Sequence, residues 1–378
     1  MKVVVLGGTG NFGARICRAL AGDARIALVV AARDQERAQA FATPLGASAA
    51  ALDTRDASFP ARLAELRPDL VIHTAGPFQD QDYGVARATA AAGSHYIDLA
   101  DGRRFVCDFG AALDATFRDA GLAAITGAST VPALSSAVVD AYRGRFARLD
   151  AIDFCIAPAQ RAPRGTATIA GVLSYCGTPV QVWKDGRWQA QQGWAAPHPV
   201  HIARLKPRRG ALCDIPDLEL FPQRYAGVSD VMFRAALEVA PTQYAFAALA
   251  ALRRLGVPLR SHRLAQAMHL AGKVFDPLGT PDGGMVVRLR GEDVQGAPLQ
   301  LAWNIFTPGH HGPEIPSMAT ILLARRLAGG QPWPAGARPC MGLLTLAEFA
   351  PEFARWGMQA DLVVEAGDTV RQREEHAR

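Results

Sequence analysis

The chain opens on an apolar run over residues 3–6, followed by Gly7-Gly8-Thr9-Gly10-Asn11-Phe12-Gly13, a stretch of helical spacing, and a second apolar run over 26–32. Short apolar runs bounded by turn residues predict strands, so this order reads as strand, glycine turn, helix, strand. The rhythm continues with strands predicted over 47–53, 69–74, 95–99 and 122–126, separated by helical stretches over 35–42, 57–66, 81–92 and 105–120. Nearly unbroken apolar strands such as 69–74 (DLVIHT) suit a parallel sheet covered on both faces. Six strands alternating with helices predict an α/β fold, a Rossmann doubly wound parallel sheet with right-handed crossovers, over residues 1–132.

Past about residue 150 the pattern changes. Strands are predicted over 152–156 and 180–184, with Lys184-Asp185-Gly186-Arg187 as a hairpin turn between Trp183 and Trp188, and a second hairpin pairs 283–290 with 299–306. Helices are expected over 231–255, interrupted near Pro241, and over 262–275. Hairpins with helices between them predict a second α+β domain on a mainly antiparallel sheet, spanning 150–310 as a substrate or dimerisation domain. Residues 311–367 form a further C-terminal segment, and 368–378, charged and lacking large apolar side chains, are expected to be a disordered tail.

Composition narrows the class. A chain of 378 residues with 49% apolar and 20% charged residues is long enough for two domains with ordinary cores. The net charge of +5 comes from scattered arginines, the lysines being Lys2, Lys184, Lys206 and Lys273, so no nucleic-acid-binding face is expected. Six widely spaced cysteines without a CxxC pair point to a reducing, cytoplasmic setting. The uncharged run 120–139 is interrupted by Gly121, Gly127 and Pro132, and no integral membrane span is expected.

Gly8-x-Gly10-x-x-Gly13 between a strand and a helix is the dinucleotide fingerprint: its glycines allow a tight turn, close approach to a pyrophosphate, and close helix–strand packing. Twenty residues past Gly13 lies Arg33, and a guanidinium there suits the 2′-phosphate of NADP; Asp34, one residue on, would instead suit the ribose hydroxyls of NAD. The cofactor expected is NADP, with NAD as the alternative. The cofactor-binding set is Gly7, Gly8, Thr9, Gly10, Asn11, Phe12, Gly13, Arg33, Asp53 at the end of the third strand, and the small-residue turn Ala75-Gly76-Pro77-Phe78 after the fourth.

Proton donors and acceptors are weaker signals. Tyr96 and Asp98 share one face of the fifth strand and are the candidates to bind substrate or relay a proton; the competing reading packs Tyr96 in an interface and uses Asp98 as a helix cap. Ser129 and Thr130 could bind substrate or cap a helix. His310 and His311 sit together on a predicted loop, and imidazoles titrate near neutral pH, although adjacent loop histidines are most often solvated. His198, His201, Cys213 and Asp214 match no zinc spacing, and no metal site is expected. Residues 231–255 carry Phe233, Leu237, Tyr244, Phe246 and Leu252, read as core or dimer-interface packing or as the wall of an apolar pocket.

Together, the glycine start, Ala31-Ala32-Arg33, His73-Thr74-Ala75-Gly76-Pro77-Phe78 and Gly93-Ser94-His95-Tyr96-Ile97-Asp98-Leu99 resemble the saccharopine dehydrogenase-like (saccharopine reductase-like) oxidoreductases, most firmly over residues 1–132. The tail Gly336-Ala337-Arg338-Pro339-Cys340-Met341-Gly342-Leu343-Leu344-Thr345-Leu346 is similar to uncharacterised members. The resemblance implies a nicotinamide cofactor, an inserted antiparallel substrate domain and a return of the C-terminal segment 311–367 to the first domain, with 315–327 packing back against it. It leaves the small-molecule substrate open. An NADP-dependent oxidoreductase acting on a C=N, C=O or C=C bond is the leading expectation. A non-catalytic NADP-binding regulator and a lipid-linked enoyl reductase at a membrane surface are the alternatives. A homodimer is one arrangement open to it.

Overall fold

In a computed structural model, residues 1–163, 165–257 and 262–366 are described. The tail expected over 368–378 lies outside them. By its internal contacts the chain separates into two units, Met1–Leu134 with Pro313–Leu344, and Ser135–Gly312 with Thr345 onward.

The first unit runs β1 (Lys2–Leu6), α1 (Asn11–Leu20), β2 (Ala27–Ala32), α2 (Gln35–Ala42), β3 (Ser48–Ala51), α3 (Phe59–Leu66), β4 (Leu70–His73), α4 (Gly84–Ala91), β5 (His95–Asp98), α5 (Arg103–Asp119) and β6 (Ala123–Thr126). Val3, Val4, Val5, Leu70, Val71 and Ile72 are buried, as expected of strands covered on both faces. All strand pairs are parallel, and the order places β4 and β2 on either side of β1, the switch point outside which doubly wound sheets bind ligands.

The sequence predicts six strands, whereas among the described residues this sheet has seven. After the second unit the chain returns with α11 (Ile315–Ala328), then β15 (Gly336–Pro339), which pairs parallel to β6 at the sheet's edge. Four residues rich in glycine and proline carry no strand-like alternation, so β15 is set by its pairing. Arg325 on α11 donates to the Ala19 carbonyl of α1 at 3.1 Å, and Thr320 Oγ1 donates to the Ala128 carbonyl at 2.8 Å.

The second unit holds α6 (Ser135–Tyr142), β7 (Phe146–Ala157), α7 (Thr166–Tyr175), β8 (Pro179–Lys184), β9 (Arg187–Gln192), β10 (His198–Val200), β11 (Arg208–Leu212), α8 (Asp217–Arg224), β12 (Asp230–Leu237), α9 (Ala240–Arg254), α10 (His262–Val274), β13 (Gly283–Asp293) and β14 (Pro298–Thr307), then α12 (Leu346–Arg355) and β16 (Gln359–Ala366). Its sheet is mixed: β12 pairs parallel with β7, and the other pairs are antiparallel. Cys155, Ala157, Val200, Ile202, Ala236 and Val286 form a buried cluster on it. Both expected hairpins are present, with Trp183 opposite Trp188 across a turn in which Asp185 and Gly186 have positive φ.

Two expectations are corrected. The helix expected over 231–255 begins only at Ala240, because residues 230–237 form β12; buried Val231 and Phe233 alternate there with less buried Met232 and Arg234, a period of two rather than 3.6. The stretch expected to return as one piece divides, since Pro313–Leu344 joins the first unit while β16 pairs antiparallel with β14 in the second.

Candidate functional site

The β1–α1 connection is built of glycine because larger residues do not fit. A Cβ on Gly13 would lie 2.3 Å from the Gly7 carbonyl oxygen and 2.7 Å from Thr74 Oγ1, and one on Gly8 would meet Val30 Cγ1 at 2.9 Å. Gly7 has a φ of +75°, which side chains rarely adopt. Gly8 N donates to the Ala31 carbonyl at 3.0 Å and Gly10 N to the Gly7 carbonyl at 2.8 Å, locking the turn against β2. Gly10 caps α1 without any side-chain hydrogen bond, and no acidic residue occupies the first turn. The residues therefore fit a dinucleotide: the cradle is bare backbone, and the positive end of the α1 dipole suits a diphosphate. Thr9, Asn11 and Phe12 complete this turn and the start of α1.

The end of β2 carries cations. Arg33 is exposed, while Asp34 spends its carboxylate capping α2, accepting from Arg37 N at 2.9 Å. Arg37 Nη2 in turn donates to the Thr9 carbonyl at 3.4 Å, reaching back to the glycine turn. Asp53, just past β3, pairs with Arg55 at 3.3 Å; the hydrogen bond from Arg55 holds its carboxyl below the usual range, and Arg33 is close enough to add to the effect.

At the ends of β4, β5 and β6 the chemistry is buried. The β4–β5 register sets Val71 beside Tyr96 and His73 beside Asp98, so His73, Tyr96 and Asp98 share one face of the sheet. His73 Nδ1 is hydrogen-bonded to the Tyr96 hydroxyl at 3.0 Å, and its ring packs edge-on against Phe78 with centroids 5.1 Å apart. Asp98 Oδ1 accepts from Ala100 N at 2.9 Å, Thr126 Oγ1 at 2.8 Å and Gly127 N at 2.8 Å, tying the end of β5 to that of β6. Burial raises Asp98 to about 6 against the pull of those donors, pushes His73 down to about 4 and lifts Tyr96 well above the ordinary phenol range. Near neutral pH the buried ring is therefore a neutral imidazole.

In the turn that follows β4, Gly76 and Pro77 are exposed, Ala75 is half-buried and Phe78 is buried. Gln81 Nε2 holds the turn by donating to the Ala75 carbonyl at 2.8 Å and the Pro77 carbonyl at 2.7 Å. Residues 3–125 match the family described as the saccharopine dehydrogenase NADP binding domain. That segment of the chain is a saccharopine dehydrogenase-type NADP-binding domain.

The chain's fold matches along nearly its whole length. Saccharopine dehydrogenase (L-Glu forming) from Saccharomyces cerevisiae superposes with a TM-score of 0.69 at 15% identity, covering 97% of this chain and 100% of the other. Homospermidine synthase from Legionella pneumophila, solved in complex with NAD, gives 0.62 at 9% identity over 96% and 91%. In sequence, a "Putative trans-acting enoyl reductase" of Mycobacterium tuberculosis is 39% identical over 104 residues, 26% of this chain and 24% of that protein. The chain thus aligns with about a quarter of the length of the curated relatives it matches. A nicotinamide dinucleotide is the cofactor this nucleotide domain is built to bind, and no described helix is long and apolar enough to cross a membrane.

Of the residues singled out by sequence, the glycine turn, Arg33, Asp53 and the Ala75–Phe78 turn all lie past the C-terminal ends of β1 to β4 in the first unit. Tyr96 and Asp98 lie beneath them, both fully buried. Ser129 and Thr130 are buried past β6. His310 and His311 belong to the second unit, where His311 packs on Trp356 at 4.9 Å. Arg37 carries no motif of its own, and His73, although it opens the stretch 73–78 that carries the family resemblance, is not among the residues singled out by sequence. The signal for His73 is that it sits two residues past Val71, on the face that the parallel register gives to Tyr96 and Asp98.

Proposed function

We propose that the protein is an NADP-dependent oxidoreductase of the saccharopine dehydrogenase-like type, acting on a C=N, C=O or C=C bond of a small metabolite. The observation carrying this reading is the bare glycine cradle with two exposed guanidiniums beside it, Arg33 and Arg37, the latter reaching back to the Thr9 carbonyl. Two guanidinium forks match a 2′-phosphate, and one Asp34 oxygen is held in its capping bond to Arg37 N. Gly7 to Gly13 would hold the diphosphate, Arg33 and Arg37 the 2′-phosphate, and Ala75 to Phe78 would border the nicotinamide side. When bound, the nicotinamide supplies or accepts the hydride.

The chain's own residues place the ligand and exclude water. Asp98 is 0% exposed, and three donors occupy one of its oxygens. We therefore assign Asp98, and Tyr96 through His73, as positioning residues that hold the β4 and β5 ends rather than as groups touching substrate. Titration with NADPH and NADH, followed by nicotinamide fluorescence, tests the assignment: NADPH binds more tightly, and Arg33→Ala with Arg37→Ala weakens NADPH by roughly 10- to 100-fold while shifting NADH less than about threefold. Equal loss for both dinucleotides would end the NADP assignment. Within this reading, reduction of a conjugated C=C draws support from the enoyl reductase relative. NADPH consumption with an enoyl thioester but not with an imine would select it.

A further inference from the structure

Two helices of the second unit turn apolar faces outward. On α9, the side chains of Tyr244, Ala245, Ala248, Leu252 and Leu255 at its end are all exposed, and their spacing puts them within one stripe of the helix. On α10, Ala267, Leu270, Ala271 and Val274 form a second exposed stripe, continued past the helix by Leu278. The exposure is large: 81% at Leu255, 63% at Leu270, 74% at Val274 and 70% at Leu278. Surface helices normally face the other way, with the apolar stripe inward, and clustered outward aliphatics mark an interaction surface.

The exposed charges beside these stripes are cations, and the half-buried Asp276 between Val274 and Leu278 accepts from Gln160 Nε2 at 3.0 Å. Between Val239 and Phe275 the sequence contains Arg253, Arg254, Arg260, Arg263 and Lys273 and no aspartate or glutamate. Arg254 and Lys273 are exposed beside the stripes. We infer that the exposed aliphatic faces of α9 and α10 dock on an anionic lipid bilayer, with their aliphatics in the acyl boundary and Arg254 and Lys273 at the headgroups.

Two other occupants fit less well. A second copy of the chain, related by a two-fold axis through these faces, would set Arg254 and Lys273 against their own kind, and the acid beside them, Asp276, is already bonded to Gln160. A folded protein partner needs about one hydrogen bond per 100–200 Å² of interface, and the two stripes offer a single side-chain hydroxyl, that of Tyr244. A bilayer demands neither register nor hydrogen bonds. No described helix can span it, so the chain lies on the surface. The inference stands apart from the cofactor assignment.

The test is flotation of the full-length protein with phosphatidylcholine vesicles with and without phosphatidylglycerol. Binding is expected on the anionic vesicles, weakened by raising salt to roughly 0.5 M, where surface charges are screened. Arg254→Ala and Lys273→Ala should each weaken it about fivefold, the effect of roughly 1 kcal/mol per basic residue. Leu255→Glu with Leu270→Glu, at solvent-facing positions, should abolish it while leaving NADPH binding and the thermal melt unchanged. Protein left wholly in the bottom fraction with anionic vesicles overturns the inference, as does equal binding to neutral ones. It is also overturned by a dimer in sedimentation velocity that Leu270→Glu dissociates, or by salt-sensitive capture on an acidic carrier protein without lipid.

Discussion

The glycine turn after β1 and the buried cluster beneath β4 and β5 serve the same end of the same sheet, yet they are specified in opposite ways. The turn is defined by what is missing: no side chain fits at Gly8 or Gly13, and the hydrogen-bonding groups on offer are backbone. The cluster is defined by side chains that meet only after β4, β5 and β6 have aligned, with His73 on Tyr96 and Asp98 on Thr126. A backbone device is written locally in the chain, whereas a side-chain network is written in the register of neighbouring strands.

The sharpest way to break this contrast is Gly13→Ala. A single methyl would press on a backbone oxygen and on Thr74, and we expect a loss of about 3 kcal/mol or more in urea unfolding, with NADPH binding weakened more than about a hundredfold. Near-normal binding would show that the turn can relax and is not limited by space.

Asp98 offers the matching test on the side-chain half. Asp98→Ala strands three donors and should cost about 2–3 kcal/mol, whereas Asp98→Asn retains an acceptor oxygen and should cost under about 1 kcal/mol at pH 5. The pH dependence follows from the shifted groups. Because burial raises Asp98 to about 6, its folded form keeps a proton that the unfolded chain releases above about pH 4. Its contribution thus favours folding at acid pH and is lost as pH rises through about 6. His73, pushed from 6.5 down to about 4, works in the reverse sense, since the unfolded chain takes up its proton first as pH falls. The two offset each other between pH 4 and 6. In Asp98→Asn only the histidine effect remains of this pair, so the variant's stability relative to the parent should rise by ~2 kcal/mol from pH 4 to 6.5. A flat difference would mean that Asp98 is not the buried acid described.

The smallest effect concerns the boundary between the two modes. Asp34→Ala removes the α2 cap at a cost of about 1 kcal/mol in the same unfolding assay, and the preference for NADPH over NADH should keep its direction. A switch toward NADH would place Asp34, not the arginines, in charge of cofactor choice.

Much of the first unit was legible because its strands are short, apolar and evenly spaced, and because the fingerprint needs only local glycines. The site divides along the contrast above. Gly7 to Gly13, Arg33 and the turn at Gly76 and Pro77 announce themselves by composition. His73 does not, since one histidine ending an apolar strand looks like any other until the register sets it against Tyr96. Arg37 was hidden because its value lies in a bond back to Thr9 across the sheet edge. In the second unit, residues 230–237 misled because a buried strand running into a long helix leaves one continuous apolar stretch, with the change of period inside it. β15 gave no pattern at all, being four residues recruited by the free edge of β6.

That recruitment has a consequence for how the protein is made. Residues 1–134 leave the ribosome before α11 and β15, which follow only after the whole of Ser135–Gly312 has been synthesised. At 5–20 residues per second the wait is on the order of 10 to 40 seconds. Throughout it, the hydrogen-bonding edge of β6 has no neighbour, and an uncovered parallel edge invites pairing with another nascent chain. Yield in the cell should therefore depend on how fast the second unit is translated and on what shields that edge in the meantime.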